Sequence, residues 1–121
     1  MPKMIIACVD DLLFLSKIQN VAKPLQVDVR SAVGVPDELT SRISQILPSL
    51  VLIDLNSKKI DGLALITSLK SSGTTSGIPI IGFISHVDVE MRAAAVSAGC
   101  DRVFPRSVFI QNLSEILSAA E

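Results

Sequence analysis

Apolar and polar positions along this chain form two kinds of pattern, and the first predicts strands. Residues 50–53 are four consecutive branched aliphatic side chains, and they lead directly into Asp54. A short, wholly apolar run of this kind is typical of a strand buried on both faces, as in a parallel sheet. Strand-like runs of similar length predict five strands, at residues 4–9, 26–31, 49–54, 78–84 and 102–105.

Helical patterns fill the intervals between these strands. Phe14, Ile18, Val21 and Leu25 are spaced by four, three and four positions, so they share one face of a helix at about 12–24. Further helices are predicted at about 37–47, 61–71, 88–98 and 108–119. Strict alternation of strands and helices predicts an α/β fold, with a parallel sheet and helices on both faces.

The composition fits one ordered domain spanning residues 1–121. Apolar residues make up 49 % of the chain and charged residues 19 %, which argues against disorder. The net charge is −1 and the charges are scattered, so we expect no binding to nucleic acid or to an anionic membrane. No apolar run is long enough to span a bilayer, and we see no signal peptide. Cys8 and Cys100 are expected to be small buried thiols in a reducing cytoplasm.

Carboxylates follow two of the predicted strands. Asp10 and Asp11 come directly after residues 4–9, and Asp54 closes residues 49–54. If these strands are neighbours, three carboxylates meet at the carboxyl edge of the sheet, where open α/β folds bind ligands. Carboxylates this close together favour a divalent cation. Asp10 or Asp11 could instead cap the next helix, whereas a carboxylate at the end of an apolar strand needs a partner or a role.

Short motifs around these acids occur in a fixed order. They are Val9-Asp10-Asp11, Asp54-Leu55-Asn56 with Ile60-Asp61-Gly62-Leu63, Ile78-Pro79, and Ala98-Gly99-Cys100-Asp101. With this ordered set, the chain resembles the receiver domain of two-component response regulators over essentially its whole length. The resemblance implies a flavodoxin-like, doubly wound sheet of five parallel strands in the order 2-1-3-4-5. Strands 1 and 3 would then lie side by side, as the acid cluster requires.

The same resemblance implies a role for each residue of the acid cluster. Asp54 would accept a phosphoryl group from a histidine kinase or a phosphotransfer protein. Asp11, Asp54 and the backbone carbonyl of Asn56 would bind Mg²⁺ directly, and Asp10 would act through water. The Asn56 side chain would lie near the water that hydrolyses the phosphoryl group. Mg²⁺ takes oxygen ligands, keeps several waters and neutralises charge on a transferring phosphoryl group.

The chain departs from receivers at the positions that respond to the phosphoryl group. Receivers have a Thr or Ser where this chain has Ile84, and Ser85 could substitute only if the strand end shifted by one residue. They have a Lys at the position of Arg106, which could still pair with Asp54 or a phosphate, or could be a solvated surface residue. Val103 replaces the switch aromatic. The usual coupling of a hydroxyl to an aromatic ring is therefore expected to be absent.

The sequence predicts a stand-alone signalling receiver that is phosphorylated on Asp54, with no enzymatic activity beyond slow self-dephosphorylation. The alternative is a pseudo-receiver, an interaction module that works without phosphorylation. A hydrolase or a flavin carrier is disfavoured because there is no glycine-rich phosphate loop and no Trp or Tyr. His86, the only histidine, could contact an incoming group or simply begin a helix. A downstream protein is expected on the face formed by residues 88–98, 102–105 and 108–119.

Overall fold

The apolar runs form the strands of one parallel sheet in the computed structural model, which describes residues 3–85 and 88–119. The strands are β1 Lys3–Cys8, β2 Val27–Ser31, β3 Leu50–Asp54, β4 Ile80–Ile84 and β5 Arg102–Pro105. The helices are α1 Leu12–Ala22, α2 Pro36–Ile46, α3 Gly62–Ser71, α4 Val89–Ala98, α5 Arg106–Gln111 and α6 Leu113–Ala119. A short 3₁₀ helix, Lys23–Leu25, joins α1 to β2. No helix in this part of the chain is long and apolar enough to cross a membrane.

The strand order is β2-β1-β3-β4-β5, and every neighbouring pair is parallel. This confirms the flavodoxin-like order 2-1-3-4-5. β1 lies directly beside β3, with Cys8 opposite Ile53 in the register. The turns that follow these two strands therefore leave the sheet at the same edge, and the predicted acids are brought together there.

The end of the chain differs from the predicted single helix over about 108–119. The helix begins two residues earlier, at Arg106, and it is interrupted at Asn112, where α5 ends and α6 follows. The Asn112 side chain donates a hydrogen bond to the carbonyl oxygen of Val108 at 2.9 Å. The Asn112 backbone N–H also donates to this carbonyl, at 3.1 Å, and the interruption lies in the Asn112 backbone, whose φ of −106° and ψ of 11° leave the helical region. The earlier start makes Arg106 the first residue of α5.

Two apolar layers cover the two faces of the sheet. One face packs against α1, α5 and α6, and its core contains Phe14, Phe83 and Phe109. The other packs against α2, α3 and α4 and contains Ile84 and Val103. Cys8 and Cys100 are free and buried, as expected, and burial raises the pKa of the Cys8 thiol to about 12. Both thiols are therefore inert packing residues.

A close approach between Gly82 and Leu55 fixes the loop after β3. A Cβ atom on Gly82 would lie 2.8 Å from Leu55 Cδ1, closer than real Cβ contacts, and 3.1 Å from its Cγ, which is also a tight contact. Gly82 is in β4, opposite Ile53 in the register. Leu55 follows Asp54 directly and is buried. The bare backbone at Gly82 thus lets Leu55 pack against the sheet and hold the start of this loop in place.

We expect Gly82→Ala to lower the free energy of unfolding by about 1–3 kcal/mol, because it overpacks the space filled by Leu55. Gly73→Ala is the matched control, since an added Cβ meets nothing within 4 Å there. That change should alter stability by less than about 1 kcal/mol. Urea unfolding followed by circular dichroism measures both. Equal stability of Gly82→Ala and the wild type would contradict the packing role of Leu55.

Candidate functional site

Asp54 is the centre of the site, at the carboxyl end of the central strand β3. The residue is 3 % exposed, and Thr75 is the one other buried polar residue within residues 3–85 and 88–119. The Thr75 hydroxyl donates to the Leu69 carbonyl oxygen, so its role is local. Asp54 Oδ1 accepts from the backbone N–H of Asn56 at 2.9 Å, and Oδ2 accepts from Arg106 Nη2 at 3.1 Å. The buried carboxylate therefore has a charged partner, as its position required.

Asp11 both caps a helix and faces the site. Its Oδ1 accepts from the backbone N–H groups of Leu13 and Phe14, each at 3.1 Å, and so caps α1. Its Oδ2 accepts from Arg106 Nη1 at 3.3 Å. Asp11 thus caps the helix, as the sequence allowed, and it also contacts Arg106 at the acid cluster. The cap fixes the orientation of the carboxylate toward Arg106.

Asp10 and Ser57 form a second hydrogen-bonded pair at the edge of the site. The Ser57 hydroxyl donates to Asp10 Oδ1 at 2.9 Å. The same hydroxyl oxygen accepts from the backbone N–H groups of Lys59 and Ile60, each at 3.2 Å. Ser57 therefore shapes the loop after β3 and links it to the end of β1. Nothing in the sequence distinguished Ser57 from an ordinary loop serine.

Arg106 lies between the two acidic turns and is not the solvated surface residue that the sequence also allowed. Its guanidinium contacts both Asp11 and Asp54, and its side chain is 29 % exposed. The guanidinium carbon is 4.4 Å from the centroid of the Phe14 ring and 5.7 Å from that of Phe83. Cations are attracted to the faces of aromatic rings at such distances. Arg106 is thus held by two carboxylates and two rings.

The pKa values of the two paired carboxyls move in opposite directions. Burial raises the pKa of Asp54, against the opposing effects of the Asn56 N–H and the Arg106 charge. The backbone N–H of Phe14 lowers the pKa of Asp11, and Arg106 lowers it further. Asp11 therefore stays ionised well into acid, whereas Asp54 has the higher proton affinity of the two.

Asn56 links the site to the end of β4. Its side-chain oxygen accepts a hydrogen bond from the backbone N–H of Ser85. Ser85 also lines a cavity of about 610 Å³, next to Asp11 and Arg106. Ser85 follows the last residue of β4, Ile84, which is buried, and its substitution for the missing hydroxyl stays a prediction. His86 lies outside the described residues.

Ile84 and Val103, the residues expected at the phosphoryl-sensing positions, both have hydrocarbon side chains. Ile84 and Val103 are buried in the same apolar core, on the face covered by α4. Neither side chain has a hydrogen-bond donor, and neither is an aromatic ring. Phe104, the next residue along β5, instead lies against Arg102 and Phe109. These two positions therefore offer neither the hydroxyl nor the aromatic ring of the coupling that was expected to be absent.

The expected Mg²⁺ ligands come together, but in a different electrostatic setting. Asp11, Asp54 and Asn56 are neighbours, and their oxygens are of the kind that Mg²⁺ takes. However, Oδ2 of both carboxylates binds Arg106. Across the described ranges there is no group of three His, Cys, Asp or Glu residues placed to hold a metal ion. In this arrangement the Arg106 guanidinium supplies the positive charge that pairs with both acids, and a divalent cation bound to them would lie close to it.

Phe14 is the second residue whose part in the site the sequence did not indicate. Its spacing with Ile18 predicted a core residue of α1, and it is buried. Its position three residues after Asp11 also places it in the first turn of the helix that Asp11 caps. The available signal was the presence of an aromatic ring in that turn, but the distant Arg106 that contacts it could not be read from the sequence.

The chain is similar to solved structures of response regulators. A response regulator from Hahella chejuensis superposes with a TM-score of 0.84 at 15 % identity, covering 96 % of this chain and 92 % of that one. A putative response regulator from Chloroflexus aurantiacus J-10-fl gives 0.79 at 21 % identity, covering 98 % and 99 %. The receiver domain of a sensor histidine kinase from Pseudomonas aeruginosa PAO1, with a magnesium ion coordinated in its active site cleft, gives 0.78 at 14 % identity, covering 98 % and 100 %. No protein-family model and no curated protein matches the chain.

The raised pKa of Asp54 predicts a pH dependence of stability. Because the folded pKa lies above the unfolded value of about 3.9, the folded chain binds more protons than the unfolded chain in that interval. The free energy of unfolding of the wild type, relative to Asp54→Asn, should therefore fall as the pH rises from about 4 through the folded pKa. Urea unfolding across this range measures it, with Asp28→Asn as a surface-charge control. If the free energy of unfolding of the wild type, relative to Asp54→Asn, rises with pH, the Arg106 charge lowers the pKa of Asp54 more than burial raises it.

Proposed function

Because the chain has the fold of response-regulator receiver domains, we propose that it is a signalling receiver whose phosphoacceptor is Asp54. One observation carries the proposal. A buried carboxylate with a raised pKa stands at the carboxyl end of the central strand, 3.1 Å from a guanidinium. Strand ends at this edge are where open α/β sheets bind ligands. A buried, ion-paired Asp at that place is well suited to covalent chemistry with an anionic group.

The reaction would transfer a phosphoryl group from a phosphohistidine of a histidine kinase or phosphotransfer protein. A carboxylate oxygen of Asp54 attacks phosphorus, an O–P bond forms and the P–N bond breaks. The electron pair of that bond returns to the imidazole, which takes up a proton. Arg106 would donate hydrogen bonds to the phosphoryl oxygens, as guanidinium groups do to phosphates. Water then hydrolyses the acyl phosphate slowly, so no further enzymatic activity is proposed.

The Mg²⁺ expected from the resemblance stays a prediction. Its ligands would be Asp11, Asp54 and the backbone carbonyl of Asn56, with Asp10 acting through water. When bound, it would neutralise charge on the phosphoryl group. Since Oδ2 of Asp11 and of Asp54 bind Arg106 in the structure, we assign the charge neutralisation at the site to Arg106.

We propose that the downstream protein partner binds the face formed by α4, β5 and the last two helices, α5 and α6. Val89 and Val96 of α4 are exposed apolar side chains on this part of the molecule. A cavity of about 410 Å³ lies beside Val96, lined also by Phe104 and Val108. Exposed aliphatic and aromatic groups of this kind suit a protein partner. The cytoplasm is the proposed location, because the thiols of Cys8 and Cys100 are free.

A second candidate function is an interaction module that works without phosphorylation. The observation that favours it is that the Arg106 guanidinium already pairs both Asp11 and Asp54. Ile84 and Val103 also leave the core without the groups that respond to phosphate in receivers. In this function the acid cluster would stabilise the fold, and the partner surface would have one shape at all times.

Acetyl phosphate or beryllofluoride with Mg²⁺ distinguishes the two functions. We expect amide NMR signals of the wild type to shift at the ends of β3 and β4 and at the start of α5. Asp54→Asn should show no such shifts, and acetyl phosphate should add the mass of one phosphoryl group to the wild type alone. Asp28→Asn is the matched control, because it removes a carboxylate from the surface. An unchanged wild type under these conditions would favour the interaction module.

A Thr at position 84 should strengthen the response to beryllofluoride. Ile84 ends β4 and is buried, so Ile84→Thr places a hydroxyl one residue after Phe83, the residue of β4 that is paired with Asp54. The hydroxyl should lower stability by about 1–3 kcal/mol until a bound anion accepts its hydrogen bond. Ile84→Val is the matched control, because Val has the shape of Thr without the hydroxyl. Equal beryllofluoride affinity of the Thr and Val variants would contradict the placement of residue 84 at the phosphoryl position.

A further inference from the structure

We propose that Arg106 is the resident cation of the acid site and that Phe14 is its positioning residue, so that a divalent cation enters only by displacing the guanidinium. The observation is the bridge that Arg106 makes between Asp11 and Asp54. Nη1 contacts Asp11 Oδ2 at 3.3 Å and Nη2 contacts Asp54 Oδ2 at 3.1 Å. The two carboxylates belong to different turns, and one side chain joins them.

The shape of the guanidinium accounts for this bridge. Its nitrogens lie in a rigid planar fork and can donate to two carboxylates at once, which a lysine ammonium does only as a point charge. The side chain of Asp54 is almost completely buried, and that of Arg106 is mostly so. Charges in such a place are weakly screened by solvent, so a second cation close to the guanidinium would be strongly repelled.

Phe14 supports both partners of the Asp11–Arg106 pair. Its backbone N–H donates to Asp11 Oδ1, and its ring lies 4.4 Å below the guanidinium carbon of Arg106. Phe14 is itself fixed, with ring centroids 4.8 Å from Phe83 and 6.0 Å from Phe109. The guanidinium therefore rests on a preformed aromatic surface. This surface keeps the cation aligned with the carboxylates, although its buried Nε has no hydrogen-bond partner among the residues that the structure describes.

The neighbouring cavity also favours this position of Arg106. The cavity of about 610 Å³ is lined by Lys17, Ile110 and Gln111, beside Arg106 itself. It offers space for a displaced guanidinium. However, a guanidinium that moved into it would approach the positive charge of Lys17 and lose its contact with Asp54, keeping only Asp11, which also lines the cavity. The lower-energy place for the cation is therefore on Asp11 and Asp54.

This inference has one consequence that rests on the proposed function. Phosphoryl acceptance by Asp54 does not require Mg²⁺. The claim about metal binding itself stands apart from phosphorylation. It concerns only whether Asp11 and Asp54 bind the Arg106 guanidinium or Mg²⁺ from solution.

The test is a titration with Mg²⁺ alone, followed by amide NMR because the chain has no Trp or Tyr for fluorescence. We expect Arg106→Met to bind Mg²⁺ about tenfold more tightly than the wild type, since one competing charge is removed. Arg92→Met, which removes an exposed guanidinium from α4, is the matched control and should leave the affinity unchanged. Equal Mg²⁺ affinity of the wild type and Arg106→Met would overturn the proposal.

Arg106→Lys keeps the charge but lacks the fork, and it provides the answer if Arg106→Met does not fold. It should bind Mg²⁺ more tightly than the wild type, because a lysine ammonium cannot span both carboxylates in the same way. An affinity equal to that of the wild type would overturn the proposal in this variant too.

Phe14→Leu tests the positioning role. It removes the ring under the guanidinium, so Mg²⁺ should bind more tightly, by about threefold, and the Nε–H signal of Arg106 should shift. Phe109→Leu is the matched control, because Phe109 is buried in the same aromatic cluster but does not lie under the guanidinium. If both variants change Mg²⁺ affinity equally at similar loss of stability, Phe14 is a packing residue only.

The outcomes of this test and of the phosphorylation test are distinguishable. The Mg²⁺ titration uses no phosphodonor, so a chain that never accepts a phosphoryl group still gives a clear result. Conversely, beryllofluoride binding to a wild type with tight Mg²⁺ affinity would support the proposed function and refute the resident cation. If acetyl phosphate modifies the wild type equally with and without Mg²⁺, both proposals are supported.

Discussion

The ion pair between Asp54 and Arg106 is the constraint on which the site depends. An apolar strand that ends in a carboxylate leaves a negative charge in a place from which water is largely excluded, and such a charge must be compensated. Removing one partner of a buried pair typically costs about 3–5 kcal/mol, because the other charge is then left uncompensated. Here the compensating group comes from the first residue of α5. The position of that helix start, the cap on α1 and the end of β3 are therefore determined together.

Much of the fold could be predicted because its signals are local. A strand buried on both faces has to be apolar throughout, so β3 and β4 are visible as short runs, and the helices between them show their spacing. The meeting of Asp10, Asp11 and Asp54 followed once β1 and β3 were placed side by side. That placement came from the resemblance to receivers, since periodicity carries no information about strand order.

The parts that could not be predicted depend on contacts between distant residues. Arg106 and Asp11 are separated by 95 positions, and the sequence left open whether Arg106 was a ligand of the acids or a surface residue. The ring of Phe14 beneath it has the spacing of any core residue. The interruption at Asn112 is a local change of backbone dihedral angles, which a helical pattern does not reveal. In each case the residue type was visible, but its partner was not.

The contact between Gly82 and Leu55 has a consequence for how this sequence can evolve. The two positions share one volume, so a side chain can be gained at 82 only where the residue at 55 becomes smaller. Residue 55 stands between Asp54 and Asn56, and so a change of volume inside β4 reaches the chemistry of the neighbouring strand end. Positions 55 and 82 should therefore vary as a pair among descendants of this chain, and drift at either one is limited by the other.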